Sequence, residues 1–189
     1  MFIFVQNNLT METATKTIWS IDPTHSEVQF KVKHLVISTV TGQFTQFNAS
    51  IEANDDFSDA TVTFEAAIDS ISTNNADRDG HLKSADFFDA ANYPTMKFES
   101  TKWTKVDAEN VTIEGLLTIK DTTHPITLTA EFGGVATDPY GNVKAGFEIT
   151  GKINRTNYGL TFNAVTEAGH LVLSEDIKLI ANVQFAKQG

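Results

Sequence analysis

From Glu27 to His34 the chain alternates without a slip: Val28, Phe30, Val32 and His34 fall on one side, Glu27, Gln29, Lys31 and Lys33 on the other. Successive side chains of an extended strand project to opposite faces, so this run predicts a strand with one dry face. The same period of two recurs over residues 60–68, 111–119, 126–132, 143–153 and 177–185. Weaker matches lie at Trp19-Ile21, residues 47–53, residues 96–103 and around Tyr158 to Val165. About eight to ten strands are therefore expected. The connectors are short and carry turn chemistry, as in Asn54-Asp55-Asp56, residues 105–110 and Asp138-Pro139-Tyr140-Gly141-Asn142, so neighbouring strands should pair antiparallel. An open sheet of such long strands would leave two exposed edges. Closure into an all-β antiparallel barrel removes them and is the expected architecture, with a two-sheet sandwich as the alternative. The outward face carries Glu27, Lys31, Lys33, Glu114, Lys120, Glu131, Lys144 and Glu148, which argues against a barrel that faces lipid.

Two stretches break the alternation. Residues 73–89 have no period of two, open with capping residues and run to Tyr93-Pro94; they predict one or two short capping helices. If Phe87 and Phe88 are neighbours on such a helix, only one packs inward as lid or wall, and the other is left for dimerisation or membrane contact. Leu35-Val36-Ile37-Ser38-Thr39-Val40 is too apolar for an ordinary loop and is read as a further short helix closing one end.

The start Met1-Phe2-Ile3-Phe4-Val5 lacks a basic region, a long apolar run and a cleavage site, so it is not read as a signal peptide. With Met11 as an alternative start, residues 1–16 are expected to be a flexible extension, residues 17–189 the folded domain, and the location cytoplasmic. No segment reaches the length of a spanning helix. A net charge of −10, from 24 acidic against 14 basic residues and with no basic run, speaks against nucleic acid as a partner. The absence of cysteine removes thiolate chemistry, and the spacings of His25, His34 and His81 match no metal motif. Ser26 beside His25 is no nucleophile and base, because adjacent strand residues point apart.

Asp22-x-x-His25-Ser26-x-Val28-x-Phe30-x-Val32-x-His34, Gly42-x-Phe44, Arg78-Asp79-Gly80-His81-Leu82-x-x-x-Asp86-Phe87-Phe88-Asp89 with Tyr93-Pro94, Gly115-x-Leu117-Thr118-Ile119 and Asn154-Arg155-x-x-Tyr158-Gly159 together resemble the YceI family over residues 17–187. The segment from Arg78 to Pro94 is the most specific of these. The resemblance implies a lipocalin-like closed barrel of about eight strands whose apolar tunnel holds a polyisoprenoid, a quinone-type lipid or another long-chain amphiphile, for storage, shielding or transport. It also implies no catalytic activity and no required cofactor, with a homodimer as an open option. Family members are often periplasmic, whereas this chain shows no signal peptide, and Asn157 stands where an acidic residue is frequent in the family.

On that footing the candidate tunnel residues are Phe30, Val32, Phe64, Ile68, Phe87, Phe88, Met96, Phe98, Leu117, Ile119, Phe147, Ile149, Leu179 and Phe185. Alternation shows which side is inward and leaves open whether these residues simply fill a dry core. Candidate polar contacts at the rim are Asp22, His25, His34, Arg78, Asp79, His81 and Arg155, with structural ion pairing as the plainer alternative. Two other functions stay open: an enzyme using His25 or His34 as acid or base on a small amphiphile, and a stress-related scaffold with an incidental tunnel.

Overall fold

The computed structural model describes residues 16–167, 169 and 171–189; the expected flexible extension falls almost wholly outside them. Eleven strands are present among the described residues. They are β1 (Thr17–Ile21), β2 (Glu27–His34), β3 (Ser38–Phe44), β4 (Phe47–Ala53), β5 (Ala60–Ala67), β6 (Ile71–Ser72), β7 (Thr95–Lys105), β8 (Asn110–Ile119), β9 (Thr122–Thr137), β10 (Val143–Asn154) and β11 (Leu173–Lys187). One α-helix, α1 (Ala76–Lys83), follows β6.

All neighbours pair antiparallel, and the ring closes because β11 bonds β10 on one edge and both β2 and β1 on the other. β1 and β2 form one wall strand bent at residues 22–26, and β3 and β4 form a second bent at residues 45–46; with β6 peripheral, eleven strands make an eight-stranded closed barrel. Closure pairs the long strands on both sides, the outcome expected of strands this long, and β3 keeps an outer edge that meets β6 at Gln43 and Phe44.

One end is solid. The β4–β5 turn places Phe57 in the left-handed region (φ 53°) and drives its ring inside, against Trp19 and Phe132, each at 5.2 Å between centroids, and Phe147 at 5.5 Å. Trp103 Nε1 donates to the Phe57 carbonyl (2.9 Å), which locks the turn in place. The floor is packed so tightly that Trp19 Nε1 is buried without a hydrogen-bond partner among the described residues.

The other end is built differently. Above the pair Phe47 and Ala66, β3 parts from β5, and its outer edge meets only the two-residue β6. α1 and the turns that follow cover the gap. Asn75 caps α1 by accepting from the Arg78 backbone N–H (2.9 Å), and the chain then folds back as Phe88 N donates to Leu82 O (3.0 Å) and Ala90 N to Lys83 O (2.9 Å). A second small cluster of Phe44, Ala66, Ile68, Ile71 and Ala90 fixes this cap to the wall.

Three expectations are corrected. Residues 35–40 are no helix: Leu35, Val36 and Ile37 are the tip of the β2–β3 hairpin, with Leu35 (φ 51°) and Val36 (φ 63°) left-handed. An apolar run was mistaken for a buried one, since Val36 and Ile37 are the most exposed part of the turn. The weak strand match around Tyr158 is a 3-10 turn (Arg155–Tyr158) ended by left-handed Gly159, followed by irregular chain. Phe87 and Phe88 lie beyond the end of α1 in a turn, where adjacency does not force opposite faces, and both pack inward.

Candidate functional site

Between floor and cap runs an elongated void. Its volume is about 210 Å³. Phe30 and Val32 of β2, Phe64 of β5, Met96 and Phe98 of β7, and Leu117 and Ile119 of β8 line it. Ile149 of β10 and Leu179 and Phe185 of β11 complete the wall, and Phe87 and Phe88 close it from above. Two expected wall residues lie elsewhere. Ile68 is 1% exposed in the small cluster beside the cap, because a 3-10 turn takes the chain out of the alternation just after β5. Phe147 belongs to the floor, in contact with Phe57, Trp103, Phe132 and Phe185.

Three inward glycines explain why large residues leave space. A Cβ on Gly42 would meet the Phe30 ring at 2.2 Å, one on Gly115 the Phe98 ring at 2.4 Å, and one on Gly151 Leu128 Cδ2 at 2.4 Å. Each bulky side chain therefore lies flat along the wall, over a position without a side chain, instead of reaching across the barrel. These glycines were not among the expected site residues. Their signal was available: Gly115 and Gly151 occupy inward places in the period-two pattern, and Gly42 stands in the Gly42-x-Phe44 motif.

Of the expected polar residues, Arg155 is the one that lines the void. It is 4% exposed at the top of β10; Nε donates to Ser174 O (2.9 Å), and Nη1 donates to Phe162 O (2.9 Å) and to Leu160 O. Burial pushes its pKa down, against an opposing pull from Glu175. His81 is part of the same roof: its ring meets Phe162 edge-on at 4.7 Å and Phe87 at 5.1 Å, and Nε2 contacts Asp86 at 2.9 Å. His34 ends β2 at the same rim, paired across the hairpin with Ser38.

Arg78 and Asp79 instead hold the cap together. Arg78 donates through Nε to Thr73 Oγ1 (2.7 Å) and through Nη2 to Thr73 O (2.9 Å), while Asp79 accepts from Thr73 N (2.8 Å) and Oγ1 (2.5 Å). Asp22 and His25 are away from the rim, at the bend between β1 and β2. Asp22 Oδ2 pairs with Lys144 Nζ at 2.9 Å and with His25 Nδ1 at 3.0 Å. The Lys144 hydrogen bond, then that of His25, holds the Asp22 pKa down at about 2. β2 spans eight residues, about 25 Å at the usual strand rise, so His25, in the turn before its first residue, and His34, its last, cannot serve one small substrate together. Ser26 Oγ is engaged with the backbone of Gln184, accepting from N (3.0 Å) and donating to O (3.4 Å). Among the described residues no cluster of three metal-ligating side chains forms, and no helix is long and apolar enough to cross a membrane.

The family model for a YceI-like domain matches residues 19–185. A UPF0312 protein of Staphylococcus aureus strain N315 is 40% identical over 172 residues, covering 90% of this chain and 98% of its own. A UPF0312 protein of Staphylococcus epidermidis is 39% identical with the same coverage. Among solved structures, the Campylobacter jejuni YceI protein superposes with a TM-score of 0.73 at 31% identity, covering 100% of both chains. A polyisoprenoid binding domain from Saccharophagus degradans gives a TM-score of 0.63 at 15% identity, covering 90% of this chain and 98% of its own, and so shares the fold. With a family match and an alternating barrel that agree from first strand to last, the chain belongs to the YceI-like family.

Proposed function

We propose that this protein binds a long-chain isoprenoid-type lipid in the barrel, with the chain lying along the apolar void, and so shields or carries it. The observation that supports this reading most is the glycine-seated wall: Gly42, Gly115 and Gly151 fold Phe30, Phe98 and Leu128 flat and hold open a bore lined by apolar side chains. The S. degradans relative in fold is described as a polyisoprenoid binding domain, which points the same way.

The energetics suffice without directional chemistry. Each methylene-sized group removed from water contributes roughly 0.8 kcal/mol, so ten of them offer about 8 kcal/mol before the costs of association and ordering. A rigid preformed wall keeps the ordering cost on the protein side small.

The test is extraction of protein purified from its producing cell with organic solvent, followed by mass spectrometry. A near-stoichiometric long-chain species is the expected result. Repeatedly clean extracts, together with no uptake of geranylgeraniol by the purified protein, would overturn the proposal.

A further inference from the structure

The exposed apolar side chains are not scattered. Among the described residues eleven large ones are exposed, and six of them, Leu35, Val36, Ile37, Phe162, Val165 and Leu171, belong to two loops at the roof end of the barrel. The loops touch: Leu35 N donates to Val172 O (2.7 Å), and Val165 bridges Leu171. Val36 and Ile37, at the tip of the β2–β3 hairpin, are 77% and 86% exposed. Leu35 and Val36 are also held at positive φ, a conformation that a β-branched residue resists and that Asn or Gly would take at little cost. In the free protein the tip thus combines backbone strain with apolar exposure and gains little from packing.

Directly below the tip, the outer wall carries a row of like charges. Lys31 of β2 stands opposite Lys178 of β11, and Lys178 stands opposite Lys152 of β10, with Lys33 two residues nearer the tip. Their neighbours along each strand, Phe30, Val32, Ile177, Leu179 and Ile153, line the void, so the lysines point outward. Like charges directly opposite on adjacent strands destabilise a sheet. Lys152 is relieved by Asp176 at 2.7 Å, but among the described residues Lys31, Lys33 and Lys178 form no ion pair. The other nearby carboxylate, Glu175, accepts from Asn154 Nδ2 (3.1 Å). On a chain of net charge −10 this is a local positive face.

We propose that this hairpin side is a docking surface for a lipid bilayer that contains anionic lipid. Val36 and Ile37 enter the head-group layer, with Val165 and Leu171 beside them, and the lysine row faces the lipid phosphates. Apolar area to bury and adjacent positive charge are the two things an interfacial anchor needs. Charge complementarity selects this occupant over a second copy of the chain, because a two-fold contact would set one lysine row against another. Asp77, Asp86 and Asp89 of the cap and Glu167 keep the rest of the mouth negative, so contact is confined to the hairpin side. Screening over about 8 Å at physiological salt lets the local face act apart from the negative remainder. Docking goes beyond the lipid-binding function and does not require a cargo.

The test is flotation of the purified full chain with vesicles of phosphatidylcholine alone, or of phosphatidylcholine with about one quarter phosphatidylglycerol. The mixed vesicles should bind about tenfold or more tightly, and about 0.5 M salt should remove that difference, because the lysines lie on the outer surface. Val36→Asn with Ile37→Asn should weaken binding to both kinds of vesicle about tenfold or more, while the melting temperature holds or rises. Lys31→Gln with Lys178→Gln should lose about fivefold for each lysine, on the mixed vesicles alone. Emission of Ile37→Trp should move to the blue when vesicles are added, whereas the native Trp19 and Trp103 are already buried. Undiminished binding by the tip variant, or no binding of the unaltered chain to mixed vesicles, would overturn the docking surface. A dimer in sedimentation equilibrium that the tip variant breaks would overturn it too, since the occupant would then be a second copy. Vesicle binding by a chain that takes up no geranylgeraniol would support docking and count against the lipid-binding function alone, so the two fail separately.

Discussion

The two halves of this barrel are built from the same alternating strands and the same kinds of apolar residue, yet one is solid and the other hollow. In the floor, Trp19, Phe57, Phe132 and Phe147 interlock ring to ring across the axis, and a turn residue is forced into a left-handed backbone to supply one of them. In the upper half, Phe30 and Phe98 are equally large, but each lies over a glycine and turns its face to the void. The difference is therefore not hydrophobicity. It lies in what stands opposite each large residue: another ring, or a backbone without a side chain.

Matched truncations test that contrast most strongly. Phe147→Ala in the floor should lower the unfolding free energy by about 3–5 kcal/mol, the cost of a cavity in close-packed surroundings. Phe30→Ala should cost only about 1–2 kcal/mol, since its ring already borders empty space. Urea unfolding of both variants at neutral pH makes the comparison, and equal losses would mean that the upper half is as well packed as the floor.

Filling the glycine seats comes next. Gly115→Ala should destabilise by about 1–3 kcal/mol, because its Cβ would also meet the rigid Glu99 carbonyl at 2.5 Å. At Gly42 the two nearest groups are the side chains of Phe30 and Thr73, so Gly42→Ala should cost less and swing Phe30 into the void. Its expected signature is loss of affinity for long-chain alcohols with a cooperative fold intact, read by titration and thermal melting.

A third variant probes the bend outside both halves. The Asp22 carboxyl titrates at about 2 in the fold against 3.8 for the free group, so its ionised form stabilises the protein above pH 3.8, and this contribution fades as the pH falls through about 2. Asp22→Asn should cost about 1–2 kcal/mol at pH 7 and almost nothing near pH 2, measured by urea unfolding across that range. The smallest effect is expected at the hairpin tip. Val36→Asn places a residue tolerant of positive φ where a β-branched one now sits, and should raise stability by about 0.5–1 kcal/mol in thermal unfolding.

Alternation from Glu27 to His34 and its recurrences made the strands legible, and their length made closure legible too. Depth was not. A period of two tells which way Phe147 and Phe30 point but not whether anything faces them, and so both stood as wall residues although one is floor. Phe57 was invisible for a different reason: a single ring among Asn54, Asp55, Asp56, Ser58 and Asp59 looks like a polar turn, and only the tertiary fold shows it tucked inside. The hairpin tip misled because Leu35, Val36 and Ile37 occupy positions that Asn and Gly usually fill. Arg155 could be named from its place in a motif, while its hold on the carbonyls of Ser174, Leu160 and Phe162 is a property of three-dimensional surroundings alone.

The shut floor has a kinetic consequence. A channel with one blind end does not let an outgoing molecule be pushed through by its successor; departure has to come before replacement. On the lipid-binding function proposed above, exchange of a bound lipid should then level off at the spontaneous escape rate however abundant the competitor, governed by how often the cap around Phe87 and Phe88 gives way.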